Sequence, residues 1–164
     1  MIAASIAFVI GNLPAFLFVA ALAIAAFKRT PGWSVPERYL SWILLLPIGI
    51  TALWAAVFHL LFPSTAAELI GWQTSPFQFE VGMADLAIGV TSFVAFWCSL
   101  PFKAAAVWSA SIFLLGDAVG HVHQMLAAGN FAPGNVGVPF FMDIICPVLS
   151  IMLLTAARRH YRTR

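Results

Sequence analysis

Seven ionisable side chains lie within long apolar stretches of this sequence. They are His59, Glu80, Asp85, Asp117, His121, His123 and Asp143. Ionisable groups are costly in apolar surroundings and by default mark a functional site. Four carboxylates cannot all stay ionised there, since no Lys or Arg accompanies them within these stretches. They must therefore be protonated, be paired with imidazolium, or be neutralised by a bound metal.

Metal binding is one chemistry that these residue types support. Asp117 and His121 are four residues apart, which places both on one face of a helix. Carboxylate and imidazole ligands suit divalent zinc, iron or manganese. The predicted metal ligands are His59, Glu80, Asp117, His121, His123 and Asp143. The Glu-x-x-His pairs of di-iron bundles and the His-Glu-x-x-His motif of zinc proteases are both missing, so the metal is left open.

Haem is a weaker candidate for the same site. His59 could bind one side of the iron and either His121 or His123 the other. However, the predicted outer side of the chain carries no basic residue to bind the haem propionates.

Acid–base chemistry without a metal is the alternative. A carboxyl group beside a histidine forms a proton donor and acceptor pair near neutral pH. The residues expected to be catalytic are Asp117, His121, Glu80 and Asp85. The residues expected to contact the substrate are Gln124, which shares the Asp117 helix face, and Trp72 and Asn130 in the adjoining loops.

The composition excludes a water-soluble domain. Of the 164 residues, 62% are hydrophobic and only 9% are charged, whereas a soluble domain has about 25% charged residues. Soluble enzymes, nucleic-acid-binding proteins and disordered chains are thereby excluded. The remaining class is an integral membrane protein, for which the lipid bilayer is the first partner.

Five apolar stretches are long enough to form membrane-spanning helices of about 20 residues. They cover approximately residues 2–27, 40–62, 77–100, 104–128 and 138–157. Thr65 and Glu68 have capping-box spacing and predict a short interfacial helix over about residues 65–70, which Gly71 ends. The loop over residues 129–139 is rich in Gly, Asn and Pro and is expected to be irregular. Because all connections are short, residues 1–164 are predicted to form a single all-α transmembrane domain.

The basic residues predict the orientation of these five helices. All eight fall on one side of the predicted bundle: Lys28, Arg29, Arg38, Lys103, Arg158, Arg159, Arg162 and Arg164. The positive-inside rule then places the N-terminus outside and the C-terminus in the cytoplasm. All seven ionisable groups lie in the outer half of the bilayer in this arrangement. Gly116 and Gly120 are expected to permit a close helix–helix contact beside them.

Residues 71–89 carry a resemblance to a known group of proteins. They read Gly71-Trp72-Gln73-x-Ser75-Pro76-Phe77-Gln78-x-Glu80-x-Gly82-x-Ala84-Asp85-Leu86-x-x-Gly89. This segment resembles one in small, uncharacterised bacterial polytopic membrane proteins. The resemblance implies a multi-pass protein of the bacterial inner membrane, and it implies no particular activity.

The sequence favours a membrane-embedded enzyme with one carboxylate and histidine site, acting on a lipophilic or small substrate. Two other functions stay open. One is a small proton- or cation-coupled transporter that uses the same carboxylates, and the other is a structural or assembly subunit. A lipophilic small molecule and further copies of the chain are the remaining expected partners.

Overall fold

The computed structural model describes residue 8 and residues 11–163, and this part of the chain is all-helical. Seven helices follow one another here: α1 (Leu13–Phe27), α2 (Val35–Leu61), α3 (Pro63–Ile70), α4 (Phe77–Ala95), α5 (Leu100–Ala128), α6 (Pro133–Val136) and α7 (Val138–Arg162). Four segments are long and apolar enough to cross a membrane, and they contain α2, α4, α5 and α6 with α7. Helix α1 is a shorter apolar helix. The prediction of an all-α, multi-pass membrane protein is confirmed, while most of residues 2–12 of the first predicted span lie outside the described residues.

Several helix ends follow from local sequence. Helix α3 ends at Gly71 and α5 ends at Gly129, and both glycines have a positive φ (77° and 61°) that other residues rarely adopt. A short helix covers residues 65–70, as predicted, but it begins at Pro63. Its first turn has no side-chain cap, so the predicted capping box does not form. The loop predicted to be irregular contains the short helix α6.

Helix α2 changes its winding in the middle. Its first part, Val35–Ile43, and its last part, Thr51–Leu61, are α-helical, and Leu44–Ile50 between them is a π-helix. Pro47 lies in this segment and has no backbone N–H, so it cannot donate the usual α-helical hydrogen bond. π-Helical segments frequently occur at functional sites, and Pro47 and Ile48 line the cavity at the site.

Close packing between α2 and α4 depends on glycines of both helices. A Cβ atom on Gly89 would lie 2.8 Å from the backbone nitrogen of Leu53, and one on Gly82 would lie 2.8 Å from Cγ of Leu60. Gly49 approaches the backbone of α4 in the same way. Glycines of both helices therefore permit the close approach of α2 and α4.

The close contact predicted at Gly116 and Gly120 of α5 is wrong. A Cβ atom on either residue would meet none of the described atoms within 4 Å. Both residues instead line a cavity. Small residues permit a close helix contact but do not require one, and here the missing side chains leave open space.

A buried polar cluster joins three helices at the end of the bundle that carries the basic residues. Nζ of Lys103 in α5 donates to Oε1 of Glu37 in α2 at 2.8 Å, and Lys103 is 0% exposed. The hydroxyl of Tyr161 in α7 donates to Oε2 of Glu37. This pairing explains why α2 and α5 begin earlier than predicted, since Glu37 and Lys103 are neutralised inside the bundle and do not mark its edge.

Candidate functional site

A cavity of about 850 Å³ lies at the opposite end of the bundle from Lys103. Its polar wall contains His59 of α2, Asp85 of α4, Asp117 and His121 of α5, and Asp143 of α7. Most of the remaining wall is apolar. A cavity of this size with a few convergent polar groups is typical of small-molecule sites, which span about 300–1,000 Å³.

Three carboxyl groups from three helices converge on this cavity. Asp117 lies near enough to Asp85 and Asp143 for electrostatic repulsion between the carboxylates. Asp85 and Asp143 are also near enough to repel each other. Asp85 is 7% exposed. Within the described residues, none of the three carboxyls makes a hydrogen bond to the protein. The carboxyls of Asp85 and Asp117 are therefore available to a molecule in the cavity, and that of Asp143 lies beside the His121 ring.

The tautomer of His121 follows from its hydrogen bonds to Asn135. Nδ2 of this fully buried asparagine donates to the backbone carbonyl oxygens of His121 (3.2 Å) and Asn130 (3.0 Å). Its Oδ1 atom therefore faces Nδ1 of His121, at 2.7 Å. Since Oδ1 can only accept, Nδ1 of His121 must be the protonated donor. In the neutral ring, Nε2 is then the proton acceptor, and it lies 3.7 Å from Oδ2 of Asp143.

His59 has a similar amide partner. Its Nδ1 atom forms a hydrogen bond with Oε1 of Gln78 in α4, and Gln78 is buried. Because an amide oxygen accepts, this bond also favours the tautomer with a proton on Nδ1. Gln78 was not among the predicted site residues, although it stands seven residues before Asp85 and so shares its helix face. Asn135 had no such local signal, because its partner lies on another helix.

Four predicted site residues do not line the cavity, namely Glu80, His123, Gln124 and Asn130. Glu80 and His123 are exposed, and Gln124 is half-buried. At 100° per residue, Glu80 is turned about 140° from Asp85, and His123 is turned about 160° from His121. Neither pair can therefore face the same cavity from one straight helix.

The two loop residues expected to contact a substrate differ in position. Trp72 lines the cavity, and its ring centre lies 6.3 Å from that of His121. Asn130 instead joins its own loop to the end of α3. Its Nδ2 donates to the carbonyl oxygen of Ile70 at 2.9 Å, and its Oδ1 accepts from the N–H of Ala132 at 3.0 Å. Its position indicates a role in holding the loop against α3.

The six predicted metal ligands are not assembled into one centre. Two of them, Glu80 and His123, point away from the cavity that the other four line. Across residues 11–163, no group of three or more His, Cys, Asp or Glu side chains is arranged to hold a metal ion.

The fold and the cavity define a multi-pass helical membrane protein with a polar site between its helices. The chain belongs to the family of unknown function DUF6790, whose model matches residues 11–163. The expected membership of an uncharacterised family is confirmed by this match. No curated protein and no solved structure matches the chain.

Proposed function

We propose that the protein is a membrane-embedded enzyme that transfers protons to and from a lipophilic substrate in the cavity. The observation that supports this proposal is the cavity itself. It brings two imidazoles and three carboxyls from four helices into a largely apolar space. Such a space accommodates a lipophilic substrate, and the polar groups can exchange protons with it.

His121 and Asp117 are the proposed catalytic pair. Nε2 of His121 is the acceptor in the neutral ring, because Asn135 holds the proton on Nδ1. Asp117 lies on the same cavity wall, one helical turn away. His121 would remove a proton from one substrate atom, and a protonated Asp117 would deliver a proton to another. The net reaction is an isomerisation that needs no redox partner.

The proposed setting is the bacterial inner membrane. There, α1 and the residues before it would form a fifth span beside the four longer apolar segments. The basic end of the bundle would face the cytoplasm, as the positive-inside rule favours. The cavity would then lie in the outer half of the bilayer.

Deuterium exchange tests proton transfer even while the substrate is unidentified. The full chain is placed in nanodiscs that contain the lipid extract of the expressing cells, and it is incubated in heavy water. Mass spectrometry then measures deuterium bound to carbon in each lipid. We expect one lipid class to gain deuterium, with Asp117→Asn and His121→Gln lowering the rate by about 100-fold or more.

Glu80→Gln is the matched control for this experiment. It also removes a carboxylate, but Glu80 is exposed and does not line the cavity, so its rate should equal that of the wild type. The enzyme proposal fails if lipids with the wild-type protein gain no more deuterium than protein-free discs. It also fails if the three variants behave alike.

A proton-coupled transporter is the second candidate, and three buried hydroxyls favour it. Ser92 of α4, Ser111 of α5 and Ser150 of α7 are each buried, with no hydrogen-bond partner among the described residues. They lie between the level of the cavity aspartates and the basic end of their helices. Water bonded to these hydroxyls would extend a polar path away from the cavity.

Liposomes with an internal pH dye test this second function. A transporter would change the internal pH when a pH gradient is imposed, and the Ser111→Ala and Ser150→Ala double variant would slow that change. Wild-type liposomes that match protein-free liposomes would contradict it.

A further inference from the structure

We propose that the molecule held in the cavity is a lipophilic amine, whose positively charged nitrogen lies among Asp85, Asp117 and Asp143. This inference rests on the proposed function, because it names the class of substrate for the same cavity. It concerns the head group of that substrate and does not depend on which reaction follows.

The charges of the cavity wall carry the first part of the inference. Three carboxyls face the cavity, and among the described residues no Lys or Arg lines it. A phosphate or carboxylate head group would be repelled there. A neutral hydroxyl would leave the carboxyls to be neutralised by protons and the two histidines alone, since ionised carboxylates in the cavity repel one another. A positively charged nitrogen is the head group that lowers this repulsion.

The hydrogen bonding of the same groups carries the second part. Asp85 is 7% exposed, and within the described residues it has no hydrogen-bond partner. Asp117 and Asp143 also lack a hydrogen-bond partner there, but both are half-buried, and Oδ2 of Asp143 lies 3.7 Å from Nε2 of His121. A buried polar group without a partner is rare in folded proteins and calls for an explanation. A primary ammonium has three N–H donors and no acceptor, and so can serve all three carboxyls.

The shape of the cavity beside Asp117 carries the third part. Gly116 and Gly120 flank this residue and line the cavity, and a Cβ atom on either would meet none of the described atoms within 4 Å. Phe113 and Leu114 continue this wall of α5 with apolar side chains. The apolar body of the ligand can lie along these residues while its nitrogen reaches Asp117.

A series of probes with one chain and different head groups tests the inference. Dodecylamine, dodecanol and dodecanoic acid are added separately to the full chain in zwitterionic nanodiscs. Trp54 and Trp72 line the cavity, so binding is read from the tryptophan fluorescence. We expect dodecylamine to bind about tenfold more tightly than dodecanol, and dodecanoic acid to bind most weakly.

Variants then assign the preference to the cavity carboxyls. Asp117→Asn should remove most of the preference for the amine, whereas Glu80→Gln, which removes an exposed carboxylate from α4, should retain it. If Asp117→Asn does not fold, Asp143→Asn takes its place. The comparison of the three probes with the wild-type protein needs no variant and tests the amine by itself.

The possible results separate this inference from the proposed function. Equal affinity for dodecylamine and dodecanol, or tighter binding of dodecanol, overturns the amine and leaves the lipophilic-substrate cavity in place. Failure of all three probes to bind overturns both. One equivalent of zinc, iron or manganese in the purified protein, lost in Asp117→Asn, assigns the carboxyls to a metal and overturns the amine.

Discussion

Neutralising one partner of the buried Lys103–Glu37 pair should destabilise the protein more than neutralising both. Nζ of Lys103 donates to Oε1 of Glu37 at 2.8 Å, and the two side chains are 0% and 7% exposed. Lys103 also lies 3.9 Å from the ring centre of Trp33. The pair connects the first turns of α2 and α5 at the basic end of the bundle.

The size of each effect follows from the burial of the two charges. Lys103→Met leaves the carboxylate of Glu37 buried without its cation, and Glu37→Gln leaves the ammonium of Lys103 buried without its anion. Breaking a buried pair in this way costs about 3–5 kcal/mol. The double variant contains neither charge, and its free energy of unfolding should fall within about 1 kcal/mol of the wild type.

The free energy of unfolding is measured in detergent micelles, under identical conditions, for the wild type, the two single variants and the double variant. The double variant should be more stable than either single variant, and the difference should persist in high salt because buried charges are poorly screened. Arg29→Met is the matched control, since Arg29 is exposed at the same end of the bundle, and it should change the free energy of unfolding very little. Single-variant losses below about 1 kcal/mol that simply add in the double variant would refute the reasoning.

Three further predictions concern packing, the site and the orientation. Gly89→Ala should lower the free energy of unfolding by about 1–3 kcal/mol, because its Cβ atom would lie 2.8 Å from a backbone nitrogen of α2. Gly116→Ala is the control and should not lower the free energy of unfolding. If thermal unfolding shows equal losses for Gly89→Ala and Gly116→Ala, the close packing between α2 and α4 is contradicted. Asn135→Ala should allow the His121 proton to move between the two ring nitrogens, and unchanged ¹⁵N shifts of that ring would contradict the assigned tautomer. Thr163→Cys, as the sole cysteine, should react with a membrane-impermeant maleimide only in inside-out vesicles, and labelling of intact cells would contradict the cytoplasmic C-terminus.

Features that depend on one helix could be predicted from the sequence. The apolar positions Ile112, Val119 and Leu126 recur at helical spacing and are exposed as expected for a lipid-facing stripe. Asp117 and His121 share a helix face and both line the cavity. Helical periodicity alone determines these features, so they do not depend on the neighbouring helices.

Features that depend on contacts between distant residues could not be predicted. The sequence predicts Lys103 in a loop, whereas it is buried in α5. Its burial depends on Glu37, which lies 66 residues earlier in the chain, so no local pattern indicates it. The partner of His121 lies on α6, within a loop that gave no sign of a helix. The position of Glu80 outside the cavity could have been predicted. Helical geometry alone turns it about 140° from Asp85, so the two residues cannot share a helix face.

Native mass spectrometry of the protein released from its own membrane tests most directly whether the cavity holds a lipophilic molecule. The wild type and Glu80→Gln should each carry one lipophilic adduct. Gly116→Trp should be folded but free of it, because the indole would occupy open space beside Asp117. A wild-type protein without an adduct, or an adduct that Gly116→Trp retains, would contradict the account.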